Sequence, residues 1–241
     1  MSTTLVSAEN ISVSNRLENS TFTIAKGFNV LTGPSGSGKS TAAMVVLGLL
    51  HPKTGQVVHY NNQQEIVAKF EPLKEKGFLK RVANFMILES KESIARQDFI
   101  RRYCGYIAQN PYLPDSNLTV LQLITNLKSS LGQFADKEKI ISIAQKLEIG
   151  HNLNDLMRNQ SGGEKQRTAL VSSIVQQPRL LIADEPTSSL DSRSSKNSLE
   201  LVRKMVDEDG ISVLWITHDR TALEYSDHQL SSLDGVISNS I

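Results

Sequence analysis

A chain of 241 residues with 39% hydrophobic residues can bury one large α/β core or two small lobes. Its 26 Lys and Arg against 25 Asp and Glu leave a formal charge of +1, without the basic excess of a dedicated nucleic-acid binder. The single cysteine, Cys104, excludes an intramolecular disulfide and fits a reducing compartment. No run of about 18 apolar residues marks a membrane span, and the first ten residues lack the basic head and apolar core of a secretion signal.

Short apolar runs at Leu5-Val6, Ile11 to Val13, Thr21 to Ile24 and Phe28 to Leu31, separated by polar turns, predict strands. The stretch Gly33-Pro34-Ser35-Gly36-Ser37-Gly38-Lys39-Ser40 follows, with a helix-competent run from Thr41 that ends near Leu50-His51-Pro52. This is strand, glycine-rich loop and helix in the order of a G-x-x-x-x-G-K-[ST] phosphate loop. Glycines let successive N–H groups turn inward on an anion, and the new helix adds its positive end. Lys39 is placed to reach the β- and γ-phosphates, and the Ser40 hydroxyl to complete a Mg²⁺ shell. The bland alternative is a Gly/Ser turn that matches by chance.

Residues 54–60 predict another strand, and 63–100 mixes Lys and Glu, with Phe78, Val82 and Phe85 or Met86 at helical spacing. Cys104 to Ala108 reads as a strand that delivers Gln109. Helical patterns cover 117–131 and 136–149, the second with Asp136 as N-cap and Ile140, Ala144 and Leu147 on one face. Ser161-Gly162-Gly163-Glu164 opens a further helix and makes a second anion-receptive helix start, or else a plain capping turn. Leu180 to Ala183 is a buried-type strand that ends in Asp184-Glu185, placing two acids at the carboxyl edge of a sheet. Asp184 suits a Mg²⁺ shell and Glu185 the polarisation of a water for in-line attack, against the simpler alternative of solvated strand-end acids. Ser212 to Thr217 is the next strand, and His218 stands at its end.

The order of these motifs, with Ser188-Ser189-Leu190-Asp191 after the acids, resembles the nucleotide-binding subunit of an ATP-binding cassette (ABC) transporter. The resemblance runs from Val6 to about Ile237. It implies a single α/β domain over 1–241: a P-loop NTPase core of mostly parallel sheet with helices, an antiparallel β lobe, and an α-helical lobe at about 110–165. It implies that residues 33–41, through Thr41, hold ATP phosphates, that Ser40, Gln109 and Asp184 touch Mg²⁺, and that Glu185 is the general base. His218 is implied to contact the γ-phosphate and Asp191 to lie at a dimer seam, while Ser161, Gly162, Gly163 and Glu164 complete the site of an opposite subunit. The implied partners are a second such subunit (the same chain or a close relative) and a separate transmembrane permease. That places the chain in the cytoplasm, peripheral on the inner face of the membrane, with no nucleic acid expected.

The run Ala183 to Asp191 and the ending Asp234-Gly235-Val236-Ile237 look most similar to the lipoprotein-release and macrolide-export branch, which implies export or extraction. A cassette working in DNA repair or translation, and one that regulates a membrane protein without transport, are the alternatives. The chain departs from the family pattern in three places. Asn15 and Arg16 stand where an aromatic residue usually stacks on adenine, so base stacking is weak, comes from elsewhere or falls to Arg16. Gln160 replaces the leucine that commonly precedes Ser-Gly-Gly. The segment from Lys39 to Gln109 carries a surplus, placed at about 62–92 and read as an insertion that touches a partner or, more commonly, decorates the strand-rich lobe.

Overall fold

The computed structural model of the protein describes residues 3–72, 103–111, 113, 116–130, 132, 134 and 136–240. Its elements run β1 (Thr4–Val13), β2 (Leu17–Ala25), β3 (Phe28–Thr32), α1 (Lys39–Val46), β4 (Thr54–Tyr60), β5 (Ile66–Phe70) and β6 (Cys104–Ile107). Then come α2 (Val120–Ser130), α3 (Lys137–Lys146), α4 (Gly162–Val175), β7 (Leu180–Asp184), α5 (Ser192–Asp209), β8 (Ser212–Thr217), β9 (His228–Leu233) and β10 (Val236–Asn239).

The strands make two sheets. The larger has the order β10-β9-β3-β8-β7-β6, parallel from β9 to β6 and closed at one edge by antiparallel β10. Its central strands are apolar on both faces because both are covered, as a parallel sheet requires. Alternate residues therefore serve different layers. Phe28, Val30, Leu181, Ala183, Val213 and Trp215 join the core under α2 to α5. Leu31, Ile182, Leu214 and Ile216 join the core under α1 and the smaller sheet. That smaller sheet is antiparallel, in the order β2-β1-β4-β5. The α/β core and the antiparallel lobe implied by the resemblance are thus both present.

In the helical lobe, α2 and α3 pack on α4. The Asp136 side chain accepts from Lys139 N at 3.1 Å, and Ile140, Ala144 and Leu147 are fully buried on one face, as their spacing predicts. Elsewhere the sequence reading needs correction. Leu5-Val6 and Ile11 to Val13 belong to one strand, whose pairing with β2 shifts between Ala8 and Ile11, where Asn10 takes a left-handed φ of 51°. A bulge absorbs the extra residues, so no turn is needed. Helix α1 stops at Val46, short of the expected end near Leu50, and Gly48 follows with φ +66°.

Gly48 is also where β5 presses in, since a Cβ there would meet Phe70 Cε1 at 2.4 Å. Residues 66–70, predicted as part of an insertion at 62–92, are therefore a strand of the antiparallel sheet with a buried phenyl ring. Phe70 meets His59 edge-on at 5.6 Å between ring centres. The remainder of that expected insertion, from 73 to 92, with the helices expected around Phe78, Val82, Phe85 and Met86, lies outside the described residues. The β9–β10 hairpin was not predicted at all. It matters for the site, because β9 runs beside β3 and borders the loop that follows it.

Candidate functional site

β3 delivers the chain into the 33–38 loop at the carboxyl edge of the larger sheet, and α1 leaves it at Lys39. The loop can lie so close to its neighbours only because of its glycines. A Cβ on Gly33 would sit 2.2 Å from the Ser232 carbonyl oxygen of β9, and one on Gly38 2.6 Å from the Arg16 carbonyl oxygen. Gly36 and Gly38 also hold φ of +78° and +98°, where L side chains are strained. The Ser232 hydroxyl donates to the Ser37 carbonyl at 2.6 Å and fastens the loop to β9. Helix α1 begins at Gly38 without a side-chain cap, so its first N–H groups are not claimed by a serine or aspartate. Lys39 Nζ donates to the carbonyls of Gly33 and Pro34, both at 2.8 Å, which holds the buried ammonium across the loop.

A cavity of about 580 Å³ opens over this loop. It brings together Ser35, Gly36, Gly38, Lys39, Ser40 and Thr41 with Gln109, Asp184, Glu185 and His218, residues spread over some 180 positions of sequence. Of the loop residues singled out by motif, Gly33 and Pro34 contribute the carbonyls around Lys39. Ser37 lines a smaller adjoining cavity of about 290 Å³ with Asn15, Glu18 and Asp234. Arg16 borders both spaces, and among the described residues no aromatic side chain lines either.

Asp184 ends β7 with its side chain almost fully buried. Burial pushes its carboxyl above the ordinary value, a hydrogen bond from the Ser40 hydroxyl pulls it back, the neighbouring Glu185 raises it again, and Lys39 lowers it. Ser40, Asp184 and Gln109 line the same cavity. These oxygen donors, with one carboxylate among them, match the sparse protein share of a Mg²⁺ site that is completed by phosphate and water. Among the described residues no group of three or more His, Cys, Asp or Glu forms a dedicated metal cage.

Glu185 is the most constrained residue of the site. Its backbone is left-handed, with φ of 49°, which costs a non-glycine residue about 1–3 kcal/mol. Its N–H donates to the Ile216 carbonyl at 2.8 Å. The carboxylate accepts from the Thr217 hydroxyl at 3.3 Å and from His218 N at 3.1 Å, and His218 Nδ1 lies 2.8 Å from Oε1. Because an ionised carboxylate can only accept, the imidazole donates in that last contact. Glu185 is buried while the His218 ring is largely exposed.

Ser161, Gly162, Gly163, Glu164 and Asp191 do not line the protomer's own cavity. Ser161 caps α4 in a reciprocal box. Its side chain accepts from Glu164 N, while Glu164 Oε2 accepts from Ser161 N at 2.8 Å and from its hydroxyl at 2.7 Å. Those bonds from Ser161 hold the Glu164 carboxyl below its ordinary value. Gly162 has open space where a side chain would be. Asp191 caps α5, accepting from Arg193 N and Ser194 N at 3.0 Å each.

Three residues of the site escaped the sequence reading. Ser232 and Thr217 sit on strands and carry no local motif. Gln166 does carry a signal, because it shares the buried face of α4 with Leu170 and Ile174 at i+4 and i+8. A glutamine on an apolar face needs a buried partner.

The comparisons with known proteins agree with this geometry. The chain matches the ABC transporter family model over residues 17–188. It is 30% identical to an ATP-binding protein of Staphylococcus aureus (strain Newman) named for hemin import, HrtA, over 96% of this chain and 94% of that one. The namesake from Staphylococcus haemolyticus is 29% identical over 92% and 90%. Among solved structures, the dimeric MJ0796, a bacterial ABC transporter cassette, superposes with a TM-score of 0.76 at 22% identity, over 97% of this chain and 96% of that one. Its dimer in a post-hydrolysis state bound to ADP and Pi gives 0.75. With a phosphate loop, two strand-end acids and a helical lobe in the family's order, the chain belongs to the ABC transporter family as one of its ATP-hydrolysing ATP-binding cassettes.

Proposed function

We propose that this cassette hydrolyses ATP in the cavity over α1 with Glu185 as general base, and does so as a dimer that powers a separate transmembrane permease. The single observation that carries the catalytic part is Glu185 itself. It is a buried carboxylate in one cavity with Lys39 and Ser40, locked in orientation by Thr217 and His218. In this reading the N–H groups of residues 35–41 and the Lys39 ammonium hold the phosphates. Ser40, Gln109 and Asp184 hold Mg²⁺, which supplies charge neutralisation of the triphosphate. Glu185 accepts the proton of the attacking water, and the exposed edge of His218 meets the γ-phosphate.

The placement of Ser161 to Glu164 supports the dimer. A helix start suited to an anion, exposed and outside the protomer's own cavity, has work to do when it closes on the nucleotide of a second protomer, with Asp191 at the seam. No helix among the described residues is long and apolar enough to cross a membrane, and in this reading a separate permease supplies the translocation path. Two pointers bear on cargo and direction. The motif phrasing at 183–191 resembles export and lipoprotein-release cassettes, whereas the staphylococcal relatives are named for hemin import. Copurification of the tagged chain from membranes should recover a multi-span protein, whose cargo can then be assayed. Recovery of ribosomes or DNA-repair proteins instead would favour a non-transport cassette.

The base is held differently from the phosphates. Arg16 borders both cavities, and Asn15, Glu18 and Asp234 line the smaller one with it. A guanidinium lying on a purine ring is worth about 0.5–1 kcal/mol at an exposed site, with no preference for adenine. ATP and GTP should therefore bind within a few-fold of one another. Arg16→Ala should weaken both alike by about two- to five-fold. Calorimetric titration of both nucleotides checks this, and a hundred-fold preference for ATP would show a base-specific contact instead.

A further inference from the structure

We propose that Gln166 is a positioning residue that ties the competence of Glu185 to the placement of helix α4. The proposal rests on the reading of Glu185 as general base, and it concerns what holds that residue in its unusual backbone state. Gln166 is 2% exposed, and its amide is spent on the segment that follows β7. Nε2 donates to the Glu185 carbonyl at 2.9 Å and approaches the Ser188 hydroxyl at 3.5 Å, while Oε1 accepts from Ser189 N at 3.1 Å. One side chain thus brackets residues 185 to 189 from both ends.

The peptide of Glu185 is gripped from two directions. From β8, its N–H is bound by the Ile216 carbonyl. From α4, its carbonyl is bound by Gln166, with Ser188 N adding a longer bond at 3.2 Å. A left-handed non-glycine residue relaxes to negative φ unless its surroundings prevent it. Such a relaxation would swing the carboxylate away from Thr217 and His218. Gln166 is the only one of these contacts that comes from a helix packed on the helical lobe, since α4 meets both α2 and α3. It also lies five residues from the Ser161 cap, about 7.5 Å along one rigid helix. A shift of α4, whether from the lobe or from an anion at Ser161, is delivered to the Glu185 carbonyl through this amide.

The test uses Gln166→Met, which keeps the volume and loses both bonds, and Gln166→Glu, which keeps the bond from Ser189 N and loses the donor to Glu185. ATP turnover is measured on the full chain, and thermal unfolding identifies the variants that fold. For at least one folded variant, kcat should fall about ten-fold or more, with KM for ATP within about three-fold. Adding the same substitution to Glu185→Gln should give no further loss of residual single-turnover hydrolysis, because Gln166 acts through that carboxylate. An unchanged kcat, or losses that multiply in the double variant, would overturn the proposal. Failure of the general-base reading is read separately, in Glu185→Gln alone.

Discussion

Glu185→Gln should leave MgATP binding intact while ATP turnover falls by about two to four orders of magnitude, the usual worth of a general base. The substitution is close to isosteric, and the local bonds can survive it. The new side-chain oxygen still accepts from His218 N, and the new NH₂ can donate to the Thr217 hydroxyl, which accepts as readily as it donates. The buried position therefore keeps its partners, so a loss of rate is not a loss of fold. What disappears is the ability to take a proton from water and a negative charge in the cavity that receives the triphosphate. Removing that charge does not weaken ATP, and unhydrolysed ATP should hold two protomers together. Phosphate release by the purified variant, with light scattering in the presence of ATP, measures both effects. Turnover within about five-fold of the parent would remove Glu185 as the base and leave His218, whose ring is exposed to the same cavity, as the candidate.

What could be read from the sequence was what is encoded over short distances. The phosphate loop, the helix start at Ser161 and the acids at 184–185 each occupy a few consecutive residues, and their local geometry follows from residue type. The fully buried strands β7 and β8 were equally legible, because a strand covered on both faces is a continuous apolar run. The strands that were missed lack that signature. In β5 the exposed residues are Ile66 and Val67, and the buried ones are Ala68 and Phe70 with Lys69 between them, so polarity does not report the inward face. In β9 the buried positions are Leu230 and Ser232, and a serine gives no hydrophobic period. The grip on Glu185 was harder still. Its left-handed φ and its bonds to Ile216, Thr217 and Gln166 join segments brought together only by the closed sheet and by α4. Nothing in Asp184-Glu185-Pro186 as a string announces them.

The same limit applies to Ser161, which does not line the protomer's own cavity. Mixing two inactive variants decides where it acts. Lys39→Ala removes the ammonium that bridges the loop carbonyls and should abolish tight ATP binding at its own cavity. Ser161→Arg removes the α4 cap, a loss of about 1 kcal/mol in stability, and sets a bulky side chain at an exposed helix start without touching the protomer's own cavity. Each variant alone should be nearly inactive, since every site in its dimer carries one lesion. In a mixed dimer with sites built across the seam, one site combines both lesions and the other has neither. An equimolar mixture should then recover about a quarter of the parent rate, half of the dimers being mixed and half of their sites intact. If Ser161 served its own protomer, each cavity would keep its own lesion whatever its partner, and no mixture could recover activity. Phosphate release across a titration of one variant into the other therefore separates a shared site from a private one.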